Sequence, residues 1–309
     1  MKKVISTAIK TLVSVLLLVY LFKKIDLKEV WQLLQQVHIT YLLAALGLYM
    51  IGQAMCAYRW KLLARLMDFH NTLKEFTIYY FAGMFFSLFL PTVIGGDVGK
   101  CYYLARGNKK TLQAVISVLA DRGTGLVVVI LMSGLSLSLI EGFDIPHQFI
   151  WAILAANVLM IAGLVVPFFI GDHISRLGGK AGSLSLTYWR TPASLFQSIA
   201  ISMVLQVLII AIHILIGISL GLTISWKFYL FVIPLVTSAS MLPISLSGLG
   251  LREGAYVYFL SLVKVPEAKA LTFAFGWLFV VFVSSLIGGL TLLTGQVARS
   301  ETPSAHGSL

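Results

Sequence analysis

Two stretches of an otherwise apolar chain set acids and bases beside prolines and glycines. One runs through 89–100 and carries Pro91, Gly95, Gly96, Asp97 and Lys100. The other runs through 241–253 and carries Pro243, Gly248, Gly250, Arg252 and Glu253. Each ends an apolar run with Leu-Pro, loosens the backbone with glycine, then presents one acid and one base. A third pair, Asp121-Arg122, interrupts the apolar segment 112–140, and Arg59 stands in the aromatic and basic end of another. The chemistry this set offers is recognition of an anion such as a phosphate. Arginine gives phosphate oxygens a two-pronged donor. Glycine-rich turns bring backbone N–H groups close to an anion, and a helix N-terminus adds a favourable dipole. Asp97, Asp121 and Glu253 would then hold the bases in place or compete for them. The alternative is that each acid and base closes a structural pair, and that Arg59 is an interfacial anchor.

The elements that position these residues are membrane elements. The chain is 59% hydrophobic and only 11% charged, with mean hydropathy +0.93, against about 25% charged residues in soluble domains. Several apolar runs of 18 or more residues follow one another, so the fold class is all-α: a polytopic helical membrane protein. A break such as Leu-Pro inside an apolar run leaves backbone groups unpaired, at a cost of several kcal/mol each in hydrocarbon. Both stretches are therefore expected to line a polar cavity. Pro91 and Pro243 end helices. Gly95, Gly96, Gly248 and Gly250 serve positive φ or close backbone approach, or else plain helix packing through small residues.

The sequence predicts six full spans, at about 4–22, 39–60, 112–140, 149–170, 194–220 and 270–297. Two re-entrant elements, at about 76–97 and 228–263, complete a single transmembrane domain over 1–299. The tail 300–309 is expected to be disordered. An amphipathic helix at the interface fits 27–34, where Leu27, Val30, Trp31 and Leu34 recur at helical spacing. Segment 95–111 is polar and basic, and 171–190 reads as a loop with Arg176, Lys180 and Arg190. Placing these basic loops inside makes both termini cytoplasmic and the protein a multi-pass resident of the inner membrane. The two re-entrant elements then enter from opposite faces, which allows an inverted repeat. Gln206 and His213 in mid-membrane read as packed polar residues or as a proton relay.

Other functions find little support. The net charge of +11 comes from short loops between apolar runs, as expected for contact with anionic headgroups, and not from a nucleic-acid face. Cys56 and Cys101 form no metal-ligand or disulfide pattern. There is no Ser-His-Asp set, metal-binding HExxH, Walker loop or dinucleotide fingerprint, so neither an enzyme nor a bound cofactor or metal is expected.

The chain resembles the lysylphosphatidylglycerol synthase transmembrane-region (flippase-like domain) family. The matching pieces are Arg59-Trp60-Lys61-Leu62-Leu63, Leu90-Pro91 through Gly95-Gly96-Asp97-Val98, Asp121-Arg122 with Gly125-Leu126, and Pro243 through Gly248-Leu249-Gly250-Leu251-Arg252-Glu253. They occur in family order and cover nearly the whole chain. Two positions depart from the family: Lys100 stands where it usually has Arg, and Ser247 where it often has Asn. Lysine keeps the charge but loses the fork. Larger members carry a cytosolic aminoacyl-transferase domain, which these 309 residues lack. The resemblance implies translocation of a phospholipid, aminoacyl-lipid, glycolipid or polyprenyl-phosphate lipid between leaflets. Its partners would be lipids with an anionic headgroup, with a second copy or a lipid synthase as a possible protein partner. The alternatives are a membrane-embedded lipid-modifying enzyme and a non-transporting protein that delivers lipid to a synthase.

Overall fold

A computed structural model of the chain describes residues 2–89, 95–107, 110–139, 145–241, 245 and 248–293. Within these, side chains are described except at 2–10, 89, 164–178 and 291–293. Pro91, Pro243, Ser247 and the tail 300–309 lie outside the described residues.

Eleven α-helices follow one another, with no strand among the described residues. They are α1 (Lys2–Lys24), α2 (Leu27–Gln35), α3 (Ile39–Arg65), α4 (Leu73–Phe89), α5 (Gly95–Ala105), α6 (Thr111–Ser136), α7 (His147–Arg190), α8 (Pro192–Ser219), α9 (Trp226–Met241), α10 (Leu251–Leu262) and α11 (Glu267–Leu293). A 3-10 turn, Leu137–Leu139, extends α6. Four helices among the described residues are long and apolar enough to cross a membrane: α3, α6 with its turn, α8 and α11. The amphipathic α2 is N-capped by Asp26, whose side chain accepts from the Lys28 N–H at 2.8 Å.

Two segments differ from the sequence reading, 95–105 and 171–190, while the span expected at 112–140 is helical through its acid–base pair. Residues 95–105 are helical, not a polar loop. Gly96, Lys100 and Leu104 recur every fourth residue and are buried, which turns one face of α5 back onto α4. Asp121 and Arg122 do not interrupt α6. Successive helical side chains point about 100° apart, so each of the two finds its own ion-pair partner. Residues 171–190 continue α7 to Arg190. Leu186 and Tyr188 are buried there, and the Tyr188 hydroxyl donates to the Leu63 carbonyl at 3.2 Å; that burial supports helix where composition suggested loop.

The helices fall into two sets in the same order. α3, α4, α5 and α6 begin at 39, 73, 95 and 111; α8, α9, α10 and α11 begin at 192, 226, 251 and 267. The offset is 153 residues for the first two helices and 156 for the last two. The packing partners repeat as well: α4 packs on α11 as α9 packs on α6, α6 on α8 as α11 on α3, and α4 on α5 as α9 on α10. The correspondence extends upstream. α7 has a left-handed residue at Gly179 (φ 53°), which follows Asp26, the junction of α1 and α2, by the same 153 residues.

The central helices α3 and α8 lie antiparallel. The His38 N–H donates to the Ser219 carbonyl at 2.9 Å, Gly52 faces Leu205, and Arg59 reaches Ser202. Outside the spans, Asp68 (φ 63°) turns the chain after α3. Hydrogen bonds from Lys110 and then His70 hold its carboxyl below the usual range.

Candidate functional site

The site is built on the antiparallel hairpin of α4 and α5. A Cβ on Gly96 would lie 2.3 Å from the Gly83 carbonyl oxygen and 2.1 Å from Ser87 Oγ, so no side chain fits there and the two backbones meet. The Tyr79 and Tyr103 rings stack at 5.8 Å further along. This contact fixes the first turn of α5 and with it Asp97, the third residue, where the helix dipole favours an acid. Asp97 Oδ2 accepts from Arg122 Nε at 2.5 Å. Lys100 Nζ is 3.8 Å from Asp97 Oδ1, beyond hydrogen-bond length, and Oδ1 is buried with no hydrogen-bond partner among the described residues. The Lys100 ammonium instead sits 3.6 Å over the Tyr80 ring, a cation–π contact worth about 2 kcal/mol when desolvated.

One layer deeper, Arg59 Nε donates to Asp121 Oδ1 at 2.8 Å, with the two side chains only 7% and 5% exposed. Arg59 Nη1 also donates to Ser202 Oγ at 2.7 Å. Gly125 leaves room for the guanidinium, which would lie 3.4 Å from a Cβ there. The Trp60 ring, fully buried, meets Phe76 edge-on at 4.8 Å and donates to Ser117 Oγ at 3.2 Å. Removing one partner of a pair buried this deeply costs about 3–5 kcal/mol, because the other charge stays in the core.

Asp97 and Arg122 line a cavity of about 880 Å³ between α5 and α6, closed at one side by Met241 of α9. Its walls are apolar. Val98, Tyr102, Val115, Leu119 and Leu126 line it and are themselves exposed, so the cavity opens sideways, where a bilayer would lie. Arg122 is 40% exposed and Asp97 14%. Arg106 lines the cavity too, with its guanidinium 6.0 Å from the Tyr102 ring. The residues present thus offer guanidinium donors and one carboxylate acceptor within a greasy slot.

The second proline–glycine stretch is built differently. Gly248 and Gly250 have φ 79° and 80°, a conformation glycine adopts without penalty. Glu253, the third residue of α10, accepts from the Gly250 N–H at 2.7 Å with one oxygen and from Arg252 Nη2 at 2.6 Å with the other. Glu253 is 1% exposed. This pair is not among the described residues that line the α5–α6 cavity. Next to it, His213 Nδ1–H donates to the Ile209 carbonyl at 2.7 Å, which leaves Nε2 to accept from the Tyr256 hydroxyl at 2.7 Å. The His213 ring stacks on Trp277 at 4.4 Å.

Of the seven polar residues singled out in the sequence, the structure gathers Arg59, Asp97, Lys100, Asp121 and Arg122 into one linked cluster and sets Arg252 with Glu253 apart. Gly96 serves close approach; Gly248 and Gly250 serve positive φ. Sequence reasoning missed Ser202, Tyr80 and Arg106. Ser202 had a signal: Ser198, Ser202 and Gln206 recur every fourth residue on the apolar α8 and are all buried. Tyr80 had none, being one aromatic among many.

The profile of the family described as Lysylphosphatidylglycerol synthase TM region matches residues 7–289, so the chain belongs to that family. No individual curated protein matches it. The membership and the apolar helices together make this a multi-pass membrane protein of lipid-related role.

Proposed function

We propose that the protein is a lipid translocase that carries an anionic headgroup between leaflets while the acyl chains stay in the bilayer. One observation carries this reading: the Asp97–Arg122 pair forms the floor of an apolar cavity whose exposed walls open sideways. A headgroup bearing a phosphate satisfies Arg122 in place of Asp97, and the chains leave through the open side of the slot between α5 and α6 into the bilayer. A cavity of this size falls in the usual range for small-molecule sites, about 300–1,000 Å³. Arg59, Lys100 and Asp121 hold the cluster in shape from behind, and Arg252 with Glu253 holds the start of α10. The substrate class is a phospholipid, aminoacyl-lipid, glycolipid or polyprenyl-phosphate lipid.

The repeated helix order supports the same reading. Because α3 and α8 are counterparts and run antiparallel, an axis relating the halves lies across the helices and hence in the membrane plane. That is the inverted-repeat plan of many transporters. The two helical hairpins then enter from opposite faces, with both termini on the cytoplasmic side of the inner membrane, an orientation favoured by the basic residues over 95–111 and 171–190.

The test is a leaflet-resolved assay of fluorescent phospholipid in vesicles containing the purified protein. Wild type transports, and Arg122→Ala remains folded but transports roughly ten- to a hundredfold more slowly. A covalently altered lipid in the same vesicles, seen by mass spectrometry, would replace this reading with a lipid-modifying enzyme. Inactivity alone but stable co-purification with a lipid synthase would replace it with a delivery partner.

A further inference from the structure

Lys100 has two places to put its charge and occupies one of them. Its stem runs against α4. A Cβ on Gly83 would lie 2.9 Å from Lys100 Cγ and 3.1 Å from Cε, so a glycine there makes room for it. The ammonium rests 3.6 Å over the Tyr80 ring, with the Trp60 ring at 5.9 Å. The second place is Asp97 Oδ1, 3.8 Å from Nζ, which is buried and has no hydrogen-bond partner among the described residues. A shift of roughly 1 Å brings the ammonium to the length of a charge-assisted hydrogen bond, about 2.8 Å. Such a bond and a desolvated contact with an aromatic face are of similar strength, so the two places are closely balanced.

The other oxygen of Asp97 accepts from Arg122 Nε. Arg122 is 40% exposed and lines the cavity. The Lys100 side chain is 9% exposed and is not among the described residues that line it. A headgroup in the cavity therefore meets Arg122 directly, and Lys100 only by way of Asp97. Once a phosphate has taken Arg122, Asp97 is a mostly buried carboxylate with neither oxygen bonded. An unpaired buried charge is costly, and the cost falls on the lipid-bound state. Arg59 is already committed to Asp121, which leaves Lys100, of the bases in this cluster, to answer it.

We propose that Lys100 is the stand-in partner of Asp97: as a lipid phosphate takes Arg122, the Lys100 ammonium leaves the Tyr80 ring and donates to Asp97 Oδ1, and it returns when the lipid departs. This rests on the translocase reading and deepens it. Each entering headgroup then exchanges one ion pair for another instead of breaking one, so the cavity can both load and release. Lysine suits the role. Its charge is a compact point on a flexible stem, free to turn from a ring to an oxygen, where a guanidinium fork would lock onto the carboxylate.

The experiment measures binding of a fluorescent short-chain phosphatidylglycerol to the full chain in detergent. The variants are Lys100→Met, Asp97→Asn and the two combined, with lipid-free thermal unfolding recorded alongside. Lys100→Met is expected to weaken binding roughly ten- to a hundredfold, the loss of one charge-assisted hydrogen bond. In the Asp97→Asn background the same change is expected to alter binding by less than about threefold, because a neutral amide needs no counter-charge. Equal losses in both backgrounds would mean that Lys100 meets the phosphate itself, and overturn the proposal. Unchanged affinity in Lys100→Met, with a loss of thermal stability alone, overturns it as well. Tyr80→Leu gives a test of opposite sign that does not depend on the folding of Lys100→Met. It removes the resting place of the ammonium and is expected to tighten binding roughly three- to tenfold; unchanged or weaker binding overturns the proposal. Wild-type affinity in Arg122→Ala would discard the headgroup site and the proposal together. Coupling between Lys100 and Asp97 in a protein that moves no lipid in vesicles keeps the proposal and discards the translocase reading.

Discussion

Asp97 and Glu253 each stand third in their helix, Lys100 and Tyr256 each sixth, and Asp121 and Trp277 each eleventh. Arg59 on α3 and His213 on α8 fall within one residue of the same correspondence. The two halves therefore put polar groups at the same places. They differ in what they put there. The first half uses full charges: Arg59 on Asp121, Lys100 near Asp97, Arg122 on Asp97. The second half uses a neutral set, with His213 bonded to Tyr256 and stacked on Trp277, and sets the Arg252–Glu253 ion pair at the helix start. The half that holds its charges together lines the open α5–α6 slot; the half that replaces them with aromatic rings has α1 seated against α10 and α11. Two copies of one scaffold thus carry a charged and a largely neutral version of the same set.

This contrast can be broken in order of cost. Asp121→Ala leaves Arg59 charged and buried, and is expected to destabilise the detergent-solubilised protein by about 3–5 kcal/mol; the double variant Arg59→Met/Asp121→Leu should recover most of that loss in thermal unfolding. Glu253→Ala removes the acceptor of Arg252 and of the Gly250 N–H, for about 1.5–3 kcal/mol. His213→Phe removes two neutral hydrogen bonds but keeps the ring on Trp277, so about 1–2 kcal/mol is expected. If His213→Phe cost as much as Asp121→Ala, the division into a charged and a neutral half would not hold. The smallest effect belongs to Asp68→Asn at the exposed turn. Its carboxyl is held below its usual range by Lys110 and His70, so its contribution is present above the unfolded pKa and is lost as pH falls through the folded one. The wild type should lose its small advantage over Asp68→Asn on acidification below about pH 4.

Much of this was readable in the residues. Apolar runs gave the order of the long helices, because length and hydropathy decide what crosses a membrane. Five of the seven polar residues flagged by type and spacing meet in one cluster. The second half of α7 was missed because Gly, Ser and Lys residues over 171–190 look like a loop, and the burial of Leu186 and of Tyr188, which bonds to Leu63 of α3, is a tertiary fact. α5 was missed for a related reason: its helix depends on Gly96 meeting Gly83 across a hairpin. The repeat was hinted at by two Leu-Pro stretches, but its offsets of 153 and 156 residues need helix starts, which sequence alone places only to within a few residues. That α1 packs against α10 and α11 had no sequence signal at all.

The central claim is that Arg122 receives the headgroup in place of Asp97. Transport of fluorescent phospholipid into the opposite leaflet of vesicles, measured for wild type, Arg122→Ala and the exchange Asp97→Arg/Arg122→Asp, tests it most directly. The exchange keeps an ion pair but sets a base in the first turn of α5, at a cost of about 0.3–1 kcal/mol. The expected result is that both variants stay folded yet transport roughly ten- to a hundredfold more slowly, the equivalent of losing about 1.5–3 kcal/mol from one charge-assisted hydrogen bond. Wild-type transport in Arg122→Ala would contradict the account.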